Sequence, residues 1–203
     1  LGNLGEKCSI PIYATATTHE GINRNYCMTE KLVTSVRFVE KDVTFKFCGF
    51  NITPFEVPHD GTDNVGYHIE VGGTVFCFVT DLGHITEKVS SYIEKANYLI
   101  LEANYDEEML KGGHYPKFLK ERITSPLGHL SNKTTAKFLA EHITEDLKYV
   151  WLCHLSGENN HPELAYKTVE YELRGVGVIP GVDVHVAALK RNSPSELYEF
   201  ELS

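Results

Sequence analysis

Three segments of the 203-residue chain end alike. Phe55-Glu56-Val57-Pro58 runs into His59-Asp60, Val75-Phe76-Cys77-Phe78-Val79-Thr80 into Asp81-Leu82-Gly83, and Tyr149-Val150-Trp151-Leu152-Cys153 into His154-Leu155-Ser156. Each is an apolar or nearly apolar run of strand length that delivers an imidazole or a carboxylate to the start of a loop. In α/β sheets ligands gather at such strand ends, where a rigid scaffold meets an open loop. Two imidazoles and a carboxylate brought together could surround one divalent ion or help hold two. Taken singly, each residue reads as an ordinary strand-end group; the repeated context is what points to metal.

A fourth segment, Gly128-His129-Leu130-Ser131-Asn132-Lys133-Thr134-Thr135, reads as a loop entering a helix. Free backbone N–H groups around Ser131 and Asn132, with Lys133 beside them, suit an anion such as phosphate. His129 could give a proton to a leaving oxygen. The same segment also reads as a plain helix cap. Glu102 ends the apolar run Tyr98–Leu101 and could orient His129 or keep it protonated. Alone it reads as a surface or loop residue.

The elements that must position these groups are strands first, then strands alternating with helices. Ile10–Thr15 reads as a short strand. Leu32–Val39 and Val43–Phe47 alternate in polarity and read as a strand pair. Cys48-Gly49 turns the chain into a strand over Phe50–Val57. Val65–Val71 and Thr74–Thr80 flank Gly72-Gly73, a hairpin signal. Thr86–Ala96 carries apolar residues at helical spacing, Pro116–Ile123 opens with proline at a first helical turn, and Ser131–Ile143 has a capping serine. Lys148–Cys153 is a strand and Pro162–Arg174 a helix stopped by Gly175. Val182–Leu189 and Leu197–Leu202 close the chain as strands. This order describes a mixed sheet with helices outside it.

Composition narrows the function. With 42% hydrophobic and 23% charged residues the chain is globular, and its length is that of one domain spanning 1–203. No apolar run reaches the roughly 20 residues of a membrane helix, and there is no signal-peptide pattern. The five cysteines show no CxxC spacing and read as reduced thiols of a cytoplasmic protein. A net charge of −9 excludes coating nucleic acid by bulk charge. Chemistry on phosphates therefore needs a local reversal of sign, for which bound metal is the natural source.

In order along the chain, His59 with Gly66-Tyr67, Thr80-Asp81, Gly128-His129-Leu130-Ser131 and His154-Leu155-Ser156 resemble the metallo-β-lactamase superfamily, and more narrowly its phosphodiesterase branch, which includes RNase Z. Leu101-Glu102-Ala103-Asn104-Tyr105-Asp106, with Met109-Leu110, Gly112, Tyr115-Pro116, Leu119-Lys120 and Arg122-Ile123, is similar to the bacterial YycJ-like DNA exonucleases. The resemblance runs from about Ile10 to Leu173 and implies an α/β (α+β) fold, the αββα sandwich with a two-metal site between its sheets. It implies zinc or manganese ions, His59 on one metal, Asp81 bridging both, His154 on the second, and His129 as proton donor or phosphate binder with Glu102 behind it. The implied substrate is nucleic acid, DNA rather than RNA, cut by a metal-activated hydroxide, with no membrane partner.

One departure matters. The superfamily's His-x-His-x-Asp-His sequence is nowhere in these 203 residues, and His19-Glu20 lacks the surroundings to replace it. The expectation is a sandwich lacking its N-terminal strands, holding metal weakly or not at all and without useful activity by itself. Two alternatives stand beside the nuclease: a superfamily hydrolase of small esters or phosphodiesters, and a metal-free, non-catalytic binding protein. Among the remaining polar residues, Asp60 reads as a second acceptor near the site, Glu158, Asn159 and Asn160 as its rim, and His84 as a neighbour of Asp81.

Overall fold

The structure, a computed structural model, describes residues 2–200. Its centre is a seven-stranded sheet built from β3 (Phe45–Phe47), β4 (Phe50–Glu56), β5 (Val65–Val71), β6 (Thr74–Val79), β7 (Tyr98–Glu102), β8 (Tyr149–Cys153) and β9 (His185–Ala188), in that spatial order. The first four strands are antiparallel meanders; from β6 onward the pairing is parallel. The change of sense follows from the connections. Cys48-Gly49 and Gly72-Gly73 all adopt positive φ and close tight hairpins. The later strands are joined through helices, as parallel neighbours require.

Those helices are α2 (Glu87–Ile93), α3 (Glu107–Gly112), α4 (Lys117–Ile123), α5 (Asn132–His142) and α6 (Pro162–Gly175). Alternation along the strands puts Phe55, Cys77, Val79, Leu99, Leu101, Val150 and Leu152 on one face. There they form a single core with Val89 and Ile93 of α2, Ala136 and Leu139 of α5, and Ala165, Val169 and Leu173 of α6. Phe76, Tyr98, Tyr149 and Trp151 stack across the opposite face, where Tyr198 and Phe200 of the C-terminal segment pack against them. Burial lifts the thiols of Cys77 and Cys153 to about 12, so both are inert, while Cys8, Cys27 and Cys48 are exposed and none of the five is paired.

The N-terminal part departs from the sequence reading. Val36–Phe38 (β2) does not pair with β3; it lies parallel to β1 (Ile12–Ala14) in a separate two-stranded sheet. The hairpin at Cys48-Gly49 gives β3 to β4 instead, pairing Phe47 with Phe50. Helix α1 (Ala16–Arg24) was not expected. Gly21 and its threonines and asparagine are poor helix formers, but Thr15 caps it by accepting from the Thr18 amide. The short α3 was also unexpected; Asp106 caps it by accepting from the amides of Glu108 and Met109. Pro116 is the cap of α4 rather than its first residue. The strand expected over Val182–Leu189 forms only at His185–Ala188. Residues 197–200 are not a strand, and the rest of that expected strand lies outside the described residues. No helix among the described residues is long and apolar enough to cross a membrane.

Two predictions test this architecture. Leu101 is fully buried on β7, in the middle of the sheet, so Leu101→Ala is expected to lower stability by about 2–5 kcal/mol in urea unfolding, the usual result of a core cavity. Near the N-terminus, the Glu6 carboxylate accepts from the amides of Val33, Thr34 and Ser35 and from the hydroxyls of Thr34 and Ser35. The Ser35 hydroxyl bond, then the backbone and Thr34 bonds, hold it far below the usual carboxylate range. A depressed carboxylate stabilises the fold above its unfolded pKa of roughly 4.3 and loses that contribution as the pH falls below it. Protection factors at Val33–Ser35, taken relative to the intrinsic exchange rate at each pH, should therefore fall selectively in acid, and Glu6→Gln should produce the same loss of protection at neutral pH.

Candidate metal centre

The parallel pairing of β6, β7 and β8 sets Val79 beside Leu101, Leu101 beside Leu152 and Glu102 beside Cys153. The residues that follow these strands therefore emerge together. Glu102 ends β7, His154 immediately follows β8, and Asp81 lies two residues beyond β6. His129 reaches the same point from the loop before α5. That helix is tied to the end of β7 by the Thr135 hydroxyl donating to the Glu102 carbonyl at 2.7 Å, and by the Asn132 amide donating to the Tyr105 carbonyl at 2.8 Å. One donor atom each from Asp81, Glu102, His129 and His154 can be chosen so that all lie within 4.8 Å of one another.

The carboxylate of Glu102 is the hub. It is completely buried. Its Oε1 accepts from Nδ1 of His129 at 2.8 Å and Nδ1 of His154 at 2.6 Å. Its Oε2 accepts from the amides of Leu82 at 3.1 Å and Leu130 at 3.2 Å. Burial alone would raise its pKa, but the two histidine bonds outweigh that and hold it below the usual carboxylate range. The bond to Glu102 in turn raises the pKa of His154 above the ordinary histidine value. With both oxygens engaged, Glu102 serves as the base plate of the site and not as one of its open ligands. The sequence reading placed Glu102 behind His129; its hold on His154 as well was not foreseen.

His59 follows the same rule. Its Nδ1 donates to the Gly128 carbonyl at 2.8 Å, and its Nε2 lies 3.7 Å from Asp81 Oδ1 and 3.5 Å from Asp60 Oδ1. All three histidines thus spend Nδ1 on a fixed oxygen and keep Nε2 free, the arrangement typical of metal-ligating imidazoles. The rings adjoin, with centroids 4.8 Å apart for His59 and His129 and 5.2 Å for His129 and His154. Imidazole nitrogens around an aspartate form a donor set that fits zinc or manganese. Asp81 and His154 share one further property: both adopt left-handed backbone conformations, at φ 54° and 56°. Non-glycine residues pay for that geometry, and such strain collects at functional sites.

The loop bearing His129 is buckled to its neighbours. His84 donates from Nδ1 to the Pro126 carbonyl at 2.8 Å, the Asp60 amide donates to Leu127 at 3.0 Å, and the Gly83 amide donates to Pro58 at 2.8 Å. Gly83 and Gly128 permit this closeness: a Cβ on Gly83 would strike Pro126, and one on Gly128 the carbonyls of Arg122 and Ile123. Arg122 grips both oxygens of Asp60, at 2.5 and 2.8 Å, and holds that carboxyl below its usual range. No sequence signal singled out the Arg122–Asp60 pair, because the two residues lie 62 positions apart.

The other expected groups have the following surroundings. Ser131 caps α5 by accepting from Thr134 and gives its hydroxyl hydrogen to Glu107 at 3.0 Å. Asn132 is buried and exchanges hydrogen bonds with Asn160 at 2.9 and 2.8 Å. Of the three residues expected at the anion site, only Lys133 is exposed. Asn159 and Asn160 do not form a rim: both are buried, and Asn160 braces the chain beyond β7 through the carbonyls of Ala103 and Asn104. Asn104 in turn donates to the His154 carbonyl at 2.7 Å. His19 is buried on α1 with its Nε2 on the Arg37 carbonyl, away from this cluster.

With the fold and the site in view, the comparisons place the chain. Residues 2–150 match the family model described as a beta-lactamase superfamily domain, and the chain belongs to that superfamily. Among curated proteins it is similar to exodeoxyribonuclease YycJ of Bacillus anthracis, with 32% identity over 190 residues, 91% of this chain and 70% of that protein. It is also similar to exodeoxyribonuclease WalJ of Streptococcus pneumoniae, with 30% identity over 199 residues, 98% of this chain and 74% of the relative. Among solved structures, the metallo-beta-lactamase fold protein YhfI of Bacillus subtilis superposes with a TM-score of 0.58 at 19% identity, covering 87% of this chain and 61% of that one. A diphosphatase of the PhnP family superposes with a TM-score of 0.59 at 16% identity, covering 95% and 59%. The chain thus spans about three fifths of the solved proteins it matches, and the fold expected from the sequence is the fold found.

The strained aspartate supplies a test. Asp81→Gly is expected to raise the stability of the metal-free protein by about 1 kcal/mol, since glycine accepts φ 54° without penalty. Added zinc or manganese should raise the melting temperature of the parent chain only slightly, in keeping with an incomplete ligand set, and that of the variant not at all. Melting curves with EDTA and with metal measure both effects.

Proposed function

We propose that this chain carries the catalytic portion of a metal-dependent phosphodiester hydrolase, a DNA exonuclease of the cytoplasm. The observation that carries the reading is the pair of imidazoles held by their Nδ1 atoms on the buried Glu102 carboxylate, at a strand-end cluster that includes Asp81. The likeness to relatives named exodeoxyribonucleases supports DNA as the substrate.

His59, Asp81 and His154 would hold the metal. These residues would be three members of a two-metal ligand set; the superfamily's His-x-His-x-Asp-His sequence, which would complete it, is not among these 203 residues. Bound zinc or manganese would supply a water acidified toward a pKa of about 7 and a positive field for the developing charge. The chain's own residues do the rest. Glu102 fixes the rings of His129 and His154 so that each presents Nε2. Nε2 of His129 can then bind a phosphoryl oxygen and pass a proton to the leaving oxygen, as a general acid must. Lys133, exposed in the first turn of α5, adds a positive charge on the side where the substrate would approach. Arg122 fixes Asp60 beside His59, so that Nε2 of His59 lies 3.5 Å from Asp60 and 3.7 Å from Asp81.

Hydrolysis of bis-p-nitrophenyl phosphate and of end-labelled DNA tests the reading, on this chain and on the same chain extended through the His-x-His-x-Asp-His segment. The extended protein should bind about two metal ions, in keeping with paired sites of this kind, and lose its activity to chelator; the shorter chain should hold less metal and be nearly inactive. In the extended protein, His129→Ala should lower kcat by roughly 10²–10⁴-fold with a small change in KM. Mononucleotide release from DNA ends is the expected product. Activity on carboxylic esters with none on either phosphodiester would overturn the proposal.

A further inference from the structure

Charge is distributed very unevenly along this chain. Residues 111–137 hold six of the 19 Lys and Arg but one of the 28 Asp and Glu, so this stretch carries +5 while the rest of the chain carries −14. It comprises the end of α3, α4, the loop bearing His129 and the first half of α5. Lys111, Lys117, Arg122, Lys133 and Lys137 are all exposed.

The fold gathers part of this charge around one cavity. Tyr105, Lys111, Lys117 and Lys120 line a cavity of about 480 Å³ between α3 and α4. Lys120 is pinned there by the carbonyls of Lys111 and Gly113, at 2.8 and 2.7 Å. The two carboxylates at the same cavity are already engaged, Glu107 by the Ser131 hydroxyl and Glu121 by Lys117 at 3.6 Å. Beside the cavity, Phe118 is 71% exposed, although α4 buries Ile123 and half-buries Leu119. Phe118 and Arg122 stand four residues apart, on one face of the helix. Arg122 is the residue that reaches Asp60 next to His59, so Phe118 lies one helical turn, about 6 Å of rise, from the mouth of the metal centre.

An exposed ring set among cations at the entrance to a phosphodiester-cleaving site is the chemistry that holds a single strand: ammonium groups track the backbone and the ring stacks a base. We infer that the flank formed by the end of α3 at Lys111, α4 and the start of α5 is the track along which a single-stranded polynucleotide reaches the site, with Phe118 as its stacking platform. This deepens the reading of the site as a phosphodiesterase and rests on it for the direction of travel. It also resolves how a chain of −9 handles a polyanion: the repulsive charge lies elsewhere on the sequence.

Fluorescence anisotropy of a fluorescein-labelled oligothymidylate, in EDTA so that no cleavage occurs, tests the inference on the chain as it stands. Lys111→Ala and Lys117→Ala should each reduce the slope of log affinity against log salt by about 0.7, the release expected per single-strand phosphate contact. Phe118→Ala should weaken binding about tenfold and leave the slope unchanged, as loss of stacking does. Lys95→Ala and Lys167→Ala, outside the flank, should change neither. Equal losses in these controls, no change in the three flank variants, no binding by the parent chain, or equal affinity for a blunt duplex would each overturn the track. Bis-p-nitrophenyl phosphate keeps the two readings apart: hydrolysis by the metal-loaded extended protein, with flank variants that bind the oligonucleotide normally, leaves the chemistry standing and removes the track. Flank-dependent binding without that hydrolysis does the reverse.

Discussion

Everything at this site hangs from one buried carboxylate. An ionised glutamate in a dry core is strongly unfavourable unless its oxygens are matched by donors. Glu102 meets that demand with two backbone amides and two imidazoles. The amides belong to Leu82, beside Asp81, and Leu130, beside His129. A single group thus ties the loops after β6 and β8 and the loop before α5 to the end of β7. Moving any of these loops would strand a buried charge, so the positions of Asp81, His129 and His154 are fixed by the electrostatics of a residue that itself presents no free atom to the site.

The cost of this arrangement is local and legible in the backbone. Asp81 and His154 occupy left-handed conformations just beyond the two parallel strands that flank β7, while the strands beneath them are among the most buried parts of the molecule. A rigid sheet can hold its terminal residues in a conformation that a flexible loop would relax. The same trade appears at Gly83 and Gly128, where tight contact between loops requires residues without a Cβ. Stability stored in the core of β6, β7 and β8 is what permits strain where they end.

How much of this was legible in the sequence depended on whether a feature was local. The hairpin at Gly72-Gly73, the serine cap at Ser131 and the strand-end placement of His59, Asp81 and His154 follow from residues adjacent in the chain, and all were read there. The pairing of β2 with β1 was missed because alternation says that a strand exists but not which edge it finds. Helix α1 was missed because its capping bond outweighs poor propensity. At the site, Glu102 was placed behind one histidine, but its second partner lies 52 positions away. Asn132 and Asn160 look like solvent-facing loop residues, yet their reciprocal bond spans 28 positions and buries both. Polar residues whose partners are distant carry no local mark of burial, which is why the burial of these two was not legible in the sequence.

The distribution of charge completes the physical picture. A net charge of −9 repels polyanions at long range. The basic stretch 111–137 runs counter to it, and His129 stands within that stretch, between Arg122 and Lys133. The field that would draw a phosphate inward and the group that would protonate its leaving oxygen are therefore carried by the same short segment. That segment is buckled to the scaffold on both sides, by Arg122 and the Leu127 carbonyl to Asp60 and by the Leu130 amide to Glu102. On the proposed reading, attraction and chemistry would be coupled by covalent adjacency, and a substrate held by the one would already lie beside the other.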